Sequence, residues 1–391
     1  MPNFVTSKLP SIIVVLVMAV FLSACAGIPR DVIGVGAEHI ATAEQKGSTV
    51  RTIYIATTRQ KSESKLEYFS GERSQALQLG SIDVSIPQAH EEGKIERLKG
   101  KTIDPQKHFI LSTPSLHENG TSFQAQLNNQ LASLPSDERD ILVFVHGYNT
   151  NFSAAVLRVA QFVHDTGYKG IPVLFSWASR GSTLDYLYDL NSALQSRDAL
   201  VRLGVILNEV NASHFDVVAH SMGNLVTLEA MRTLELHYGD GASRRLRHVI
   251  LASPDIDVDF FKTQLTSVSK VQDRFTVLVS KDDRALNLSR RLAGGVSRVG
   301  ATDPLEIAKL GLKVIDLTDI EERSSTNHTK FASSPDIVQL IGRGLKAGNT
   351  LSAQTTPSAI KTVVGGIAKG VTIIPTSLLN GAQAAVISVG N

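Results

Sequence analysis

From about residue 140 onward, short unbroken apolar runs alternate with longer stretches in which apolar residues recur every three or four positions. Residues 141–145 (Ile-Leu-Val-Phe-Val), 171–175, 215–219, 248–251, 275–279 and 314–317 are the short runs. They lack the regular polar alternation of a half-exposed strand and predict strands covered on both faces, as in a parallel sheet. Phe152, Ala155, Val156, Val159, Ala160 and Val163 fall on one face of a helix. Residues 191–210, 225–236 and 335–345 carry the same period. Upstream, residues 52–57 and 81–86 read as strands, with the charged segment 59–79 expected to be a loop. Residues 90–107 are charged and glycine-punctuated, and carry no legible function. Strands alternating with helices imply right-handed crossovers, hence an α/β fold with an open, mostly parallel sheet and helices on both faces. Ligands of such sheets bind beyond the carboxyl ends of the strands.

The two ends of the chain depart from this pattern. Lys8 is followed by an apolar stretch at 12–22, the length of a signal-peptide core and short of the ~20 residues that span a bilayer. It ends in Leu22-Ser23-Ala24-Cys25, which resembles a bacterial lipobox. Cys25 is the one cysteine of the chain, so no internal disulfide competes for it. By the resemblance, Cys25 is lipidated and becomes the first mature residue. Ala26 in place of Asp then implies the outer membrane of the cell envelope, facing the periplasm. Residues 370–391 hold no charge, but Pro375, Asn380, Gly381 and Gln383 argue against a span. The expected layout is a lipoprotein signal peptide at 1–24, a tether at 25–50, one α/β domain at 51–346 and a flexible low-complexity tail at 347–391.

Charge excludes one class of partner. The 39 basic and 37 acidic residues leave a net charge of +2 with no long basic run, so no nucleic acid partner is expected. A 42% share of hydrophobic residues fits a globular chain with a substantial core.

The chemistry centres on Ala219-His220-Ser221-Met222-Gly223, between the 215–219 strand and the 225–236 helix. This is a G-x-S-x-G nucleophile elbow with Ala in the first Gly position. The turn from strand to helix is sharp, so the residues two before and two after the serine are small. The helix N-terminus then faces a developing oxyanion. Serine needs a base within reach, and the base needs a carboxylate to fix its tautomer. His328 follows the last strand in a loop of small polar residues and is the base candidate; His146 and His220 read instead as structural. Asp283, after the 275–279 strand, is the first choice of acid and Asp282 the second, with Asp255 and Asp257 behind them. The order Ser221, Asp283, His328 is that of α/β-hydrolases. The oxyanion donors expected are the Met222 amide and the Tyr148 amide in the loop after residues 141–145.

Residues from about 52 to 345 resemble a largely uncharacterised bacterial α/β-hydrolase family of esterase/lipase type. Its marks are Ile53-Tyr-Ile-Ala-Thr57, Val143-Phe-Val-His-Gly-Tyr-Asn149, Phe175-Ser-Trp-Ala-Ser-Arg-Gly181, Ala219-His-Ser-Met-Gly-Asn224 and Asp283-Arg-Ala-Leu286. The resemblance implies Ser221 as nucleophile, Asp283 as acid, His328 as base, and the Tyr148 and Met222 amides as oxyanion donors. Ala219 departs from the usual Gly, and Asp282 beside Asp283 blurs which carboxylate pairs with His328. Trp177 either lines the pocket or packs beneath it. The expected activity is a lipid-anchored serine hydrolase acting on a small-molecule or lipid-like ester, with no metal or organic cofactor. The alternatives are acyl transfer on the same triad and an inactive scaffold used for envelope binding. Acyl length, bond type and oligomeric state are not readable.

Overall fold

The computed structural model describes residues 47–346, apart from 65–66, 98–103, 240–242 and 323–325, together with the backbone of a strand at 372–374. The expected signal peptide, nearly all of the tether and the rest of the tail lie outside the described residues.

One sheet of eleven strands organises the chain. The strands are β1 (Thr49–Lys61), β2 (Phe69–Ile86), β3 (Ile110–Leu111), β4 (Ser115–His117), β5 (Ile141–Val145), β6 (Ile171–Ser176), β7 (Phe215–His220), β8 (Leu246–Ala252), β9 (Phe275–Val279), β10 (Lys313–Asp316) and β11 (Thr372–Ile374). Their spatial order is β11-β10-β9-β8-β7-β5-β6-β1-β2-β3, with β4 against β2. All pairings from β1 through β6, β5, β7, β8 and β9 to β10 are parallel. The β1–β2 and β10–β11 pairings are antiparallel.

The helices are α1 (Gly120–Ala132), α2 (Phe152–Asp165), α3 (Tyr186–Asn208), α4 (Gly223–Tyr238), α5 (Val258–Ser267), α6 (Arg284–Leu292), α7 (Pro304–Ala308), α8 (Lys330–Ser333) and α9 (Pro335–Lys346). Phe123, Leu127, Leu203, Leu228 and Phe261 of α1, α3, α4 and α5 pack on one face of the sheet. Phe152, Val159, Phe162, Phe331, Ile337 and Ile341 of α2, α8 and α9 pack on the other. Val145 and Val143 point to the first layer, Leu142 and Phe144 to the second, so β5 is buried on both sides. This is the reason the strand runs show no polar alternation. Among the described residues no helix is long and apolar enough to cross a membrane.

The segment expected as a loop at 59–79 is a correction. β1 runs on to Lys61 and β2 begins at Phe69, so most of 59–79 is a long antiparallel ribbon. Apart from buried Arg59 and Phe69, its outer part is exposed or half-exposed, which leaves no hydrophobic alternation to mark it. The expected helix at 191–210 starts earlier, at Tyr186.

At the amino ends of the central strands, Asp216 is fully buried. Arg247 meets it through Nε at 3.0 Å and Nη2 at 2.5 Å, and reaches Asp140 through Nη1 at 2.8 Å. Truncating the cation leaves a buried carboxylate without its partner, which costs about 3–5 kcal/mol. Arg247→Ala is therefore expected to lower the stability of the chain by that amount in urea unfolding; a change under about 1 kcal/mol would show the pair to be dispensable.

Candidate active site

The crossover direction of the sheet reverses at β5. The chain leaves β5 for β6 on one side, while β7 lies on the other, and beyond the carboxyl ends of strands at such a switch point ligands of open α/β sheets bind. The loop after β5 and the turn from β7 into α4 meet there. Ser221 sits in that turn with φ at 53°, in the left-handed region that a residue with a Cβ rarely adopts. The turn is held by its own backbone. The Ser221 N–H donates to the Ala252 carbonyl at 3.0 Å. The Ser221 carbonyl accepts from the Asn224 N–H at 3.1 Å and the Asp255 N–H at 3.2 Å, and from Asn224 Nδ2 at 2.8 Å.

Two glycines make the close approach possible. A Cβ on Gly147 would lie 2.6 Å from the Ser221 Cβ, and one on Gly223 would lie 2.4 Å from the His146 carbonyl oxygen. Such contacts are shorter than any real Cβ makes, so the loop after β5 rests directly on the elbow. The Tyr148 and Met222 N–H groups both lie at this junction, and neither finds a hydrogen-bond acceptor among the described residues. Met222 itself is buried at the start of α4.

Asp283 and His328 are brought together. Asp283 is fully buried as the N-cap of α6. Its Oδ1 accepts from the Leu286 N–H at 2.9 Å, and its Oδ2 accepts from His328 Nδ1 at 2.6 Å. Burial works against a charged His328 ring, but the adjacent Asp283 carboxylate outweighs it, and the ring's pKa lies above its ordinary value. No hydrogen bond joins Ser221 Oγ to the His328 ring. The two are linked through His220, whose ring lies 4.7 Å from that of His328 and whose Nε2 donates to the His328 carbonyl at 3.1 Å. Burial drives the His220 pKa well below the ordinary value, so this ring is neutral.

The other candidates have structural partners. Asp282 accepts from Lys330 Nζ at 2.7 and 3.0 Å and from Asn327 Nδ2 at 2.8 Å. Asp255 is buried against Ser289, Tyr186 and Arg298, and burial raises its pKa. Asp257 caps α5 through the Asp259 and Phe260 amides. His146 is buried under the loop with its pKa lowered to about 3, by burial first and Arg59 second. Its ring stacks on Trp177 at 4.9 Å, and Trp177, with no exposed surface, packs beneath the site and does not line it.

Three residues that sequence reasoning passed over hold the loops in place. Lys330 is 1% exposed, and its Nζ also donates to Ser280 Oγ at 2.9 Å and to the Leu317 and Thr318 carbonyls at 2.9 and 3.0 Å. It thereby ties the Asp283 loop to the end of β10 and the start of α8. Arg59, fully buried, donates to Ser176 Oγ at 2.8 Å and to the Ser179 and Thr150 carbonyls at 2.7 and 2.6 Å. Burial lowers its pKa to about 10, which still leaves it charged. Buried Asp189 accepts from the Asn149 N–H at 3.1 Å and the Arg180 N–H at 2.9 Å. The only sequence signal for any of them is a charged residue inside or next to an apolar run.

No curated protein matches the chain. Among solved structures, the phospholipase PlaB from Legionella pneumophila in complex with thio-NAD is similar over 42% of this chain, with 16% identity and a TM-score of 0.28. The chain spans less than half of that phospholipase, 44% of its length. A Pyrobaculum calidifontis esterase is similar over 76% of this chain and 85% of its own, with 8% identity and a TM-score of 0.34. An extracellular α/β-hydrolase from a Paenibacillus species is similar over 54% of this chain and 98% of its own, with 10% identity and a TM-score of 0.29. A family model described as an alpha/beta hydrolase of unknown function (DUF900) matches residues 119–344. That span is more than half of the 391 residues, takes in the elbow and both loops that carry Asp283 and His328, and establishes that the chain belongs to this α/β-hydrolase family.

Proposed function

We propose that the chain is a serine hydrolase that cleaves carboxylic esters through an acyl-enzyme on Ser221. The observation that carries this reading is the His328–Asp283 pair, 2.6 Å apart, a half-buried ring on a fully buried carboxylate, at the end of the sheet where the strained Ser221 turn also lies. His328 Nδ1 is committed to Asp283, which leaves Nε2 as the basic nitrogen. Substrate binding brings Nε2 and the Ser221 hydroxyl into hydrogen-bond contact, a tightening common to sites that are loose without ligand. Ser221 Oγ then attacks the ester carbonyl and its proton passes to Nε2. The carbonyl oxygen takes up negative charge between the Tyr148 and Met222 amides, both without another acceptor among the described residues. The oxyanion collapses, the C–O bond to the alcohol breaks, and the alkoxide leaves with the proton from Nε2. Water repeats the sequence on the acyl-enzyme and releases the acid.

The cysteine reading belongs to the same proposal: acyl chains on Cys25 hold the enzyme on a membrane of the cell envelope, the outer membrane facing the periplasm being the expected one. Cys25→Ser is expected to move the protein from the membrane pellet to the soluble fraction with its esterase activity intact. Continued sedimentation would remove the anchor from the account.

Ser221→Ala and His328→Ala are expected to lower turnover of a short-chain aryl ester roughly a thousandfold or more, and Ser221→Ala to abolish labelling by a fluorophosphonate. A wild-type chain that takes up no label would point to a binding scaffold. Product analysis with added alcohol separates hydrolysis from acyl transfer. Asp283→Asn is expected to lose most activity and Asp282→Asn less than about tenfold, since Asp282 faces Lys330 and Asn327 rather than the ring. The opposite ranking would reassign the acid.

The pH profile follows from His328. Its raised pKa means that the ring, the base only when neutral, is protonated up to a pH above its ordinary 6.5. kcat/KM is therefore expected to rise with pH through an inflection above 6.5, and Asp283→Asn to shift that inflection downward as the stabilising charge is removed. An inflection that stays in place in Asp283→Asn would mean that another group controls it.

A further inference from the structure

At the end of the sheet opposite the elbow, the turn that follows β2 meets the last turn of α2. The 14 residues of α2, about 21 Å of helix, separate this place from the loop after β5. We propose that His90, His164 and Asp165 form a binding site here for a divalent transition-metal cation, with zinc the best-matched ion. One ligand atom from each of the three lies within 4.8 Å of the other two.

Each ligand is already oriented. The Asp165 carboxylate is fully buried. Its Oδ2 accepts from the Gly93 N–H at 2.7 Å and from Gln161 Nε2 at 2.6 Å, while Oδ1 is turned to His90 Nε2 at 2.7 Å. Half-buried Arg158 donates to Gln161 Oε1 at 2.9 Å and so fixes the amide that holds Asp165. His90 Nδ1 is paired with Glu96 Oε2 at 2.8 Å. The His164 ring stands edge-on to His90, 5.4 Å between centroids, and its Nδ1 is buried without a partner among the described residues.

A plain structural ion pair would account for His90, Glu96 and Asp165, but not for the second imidazole. A cation accounts for all of them. It takes the place of the proton on His90 Nε2, and the Glu96–His90 contact becomes the carboxylate that orients a metal-bound imidazole through its far nitrogen. Gln161 and Gly93 serve Asp165 in the same way. Two imidazoles and one carboxylate suit zinc, whose ligand atoms lie roughly 3.3 Å apart at bond lengths of about 2.0–2.1 Å. The three ligand atoms already lie within 4.8 Å of one another. Calcium and magnesium, which require mostly oxygen ligands, do not fit this donor set. The ion would lock the 87–96 turn to α2 without touching the ester chemistry, so the site stands or falls independently of the proposed function.

The test uses the full-length chain in detergent, stripped with a chelator and titrated with zinc chloride or magnesium chloride by calorimetry and thermal unfolding. One equivalent of zinc is expected to bind with a Kd of about 10 μM or tighter and to raise Tm by several degrees in excess zinc, with no response to magnesium. His164→Ala, which removes a ring with an unpartnered nitrogen, is expected to melt within about 2 °C of the stripped wild type and to weaken zinc binding tenfold or more. His90→Gln serves as the second variant and is expected to lose the zinc response as well. The proposal is overturned if the stripped wild type shows no saturable zinc binding, or if both variants bind zinc as tightly as the wild type.

Discussion

The site depends on one backbone constraint, the left-handed turn at Ser221 between a buried strand and a buried helix. A turn this tight leaves no room beside it. Gly147 and Gly223 are the positions where a methyl group would collide, with the serine's Cβ and with the His146 carbonyl respectively. The strain of a non-glycine residue at positive φ, on the order of 1–3 kcal/mol, has to be overcome by the surroundings. Here the Ser221 carbonyl accepts from three donors and its N–H is anchored on β8. Because Asp255 is one of the donors through its main chain, the loop after β8 is fixed by the elbow before any side chain is considered.

A second level of order comes from buried cations satisfied largely by carbonyl oxygens. Arg59 and Lys330 have almost no exposed surface, yet among the described residues Arg59 makes no ion pair and Lys330 has one carboxylate partner that is itself partly open to solvent. A buried charge without good partners is costly, so each must collect several acceptors at once. Those acceptors come from separate loops: Arg59 gathers the ends of β6 and the loop after β5, Lys330 the ends of β9 and β10. Charge burial thus acts as a cross-brace on the loops at the carboxyl ends of the strands.

The parts of the fold that were legible are those with a local cause. β5 to β10 announce themselves because burial on both faces removes polar residues, and α2 because its apolar residues keep a 3.6 period. The β1–β2 ribbon shows no apolar alternation because its distal half packs mainly through polar and charged side chains: Arg59 is buried against Ser176, Ser179 and Thr150, Arg73 lies over the Tyr188 ring, and Glu72 pairs with Arg180. α1 carries only Phe123, Leu127 and Leu131 toward the core, a four-residue spacing too sparse to stand out among glutamines and asparagines. The placement of Ser221, Asp283 and His328 at one end of the sheet was legible because each follows a strand with a recognisable pattern. Arg59 was not, because most of its contacts lie 87 to 120 residues away, and two of them, to the Thr150 and Ser179 carbonyls, are made to main-chain atoms whose identity no sequence reveals. The same holds for His90 and Asp165, which are 75 residues apart and meet only because β2 ends where α2 ends.

Adjacent carboxylates illustrate how the fold separates two chemically equal groups. Asp282 and Asp283 differ by one position after β9, and a tight turn points successive side chains in different directions. Asp283 becomes the first residue outside α6, so one oxygen is used by a helix-terminal amide. That leaves the other oxygen a single direction, toward His328. Asp282, facing the other way, meets Lys330 two residues beyond the same histidine. The pair therefore holds the histidine loop at two points, one on the ring and one on the chain that follows it. A carboxylate that shows no direct contact with the ring thereby still governs where the ring can go.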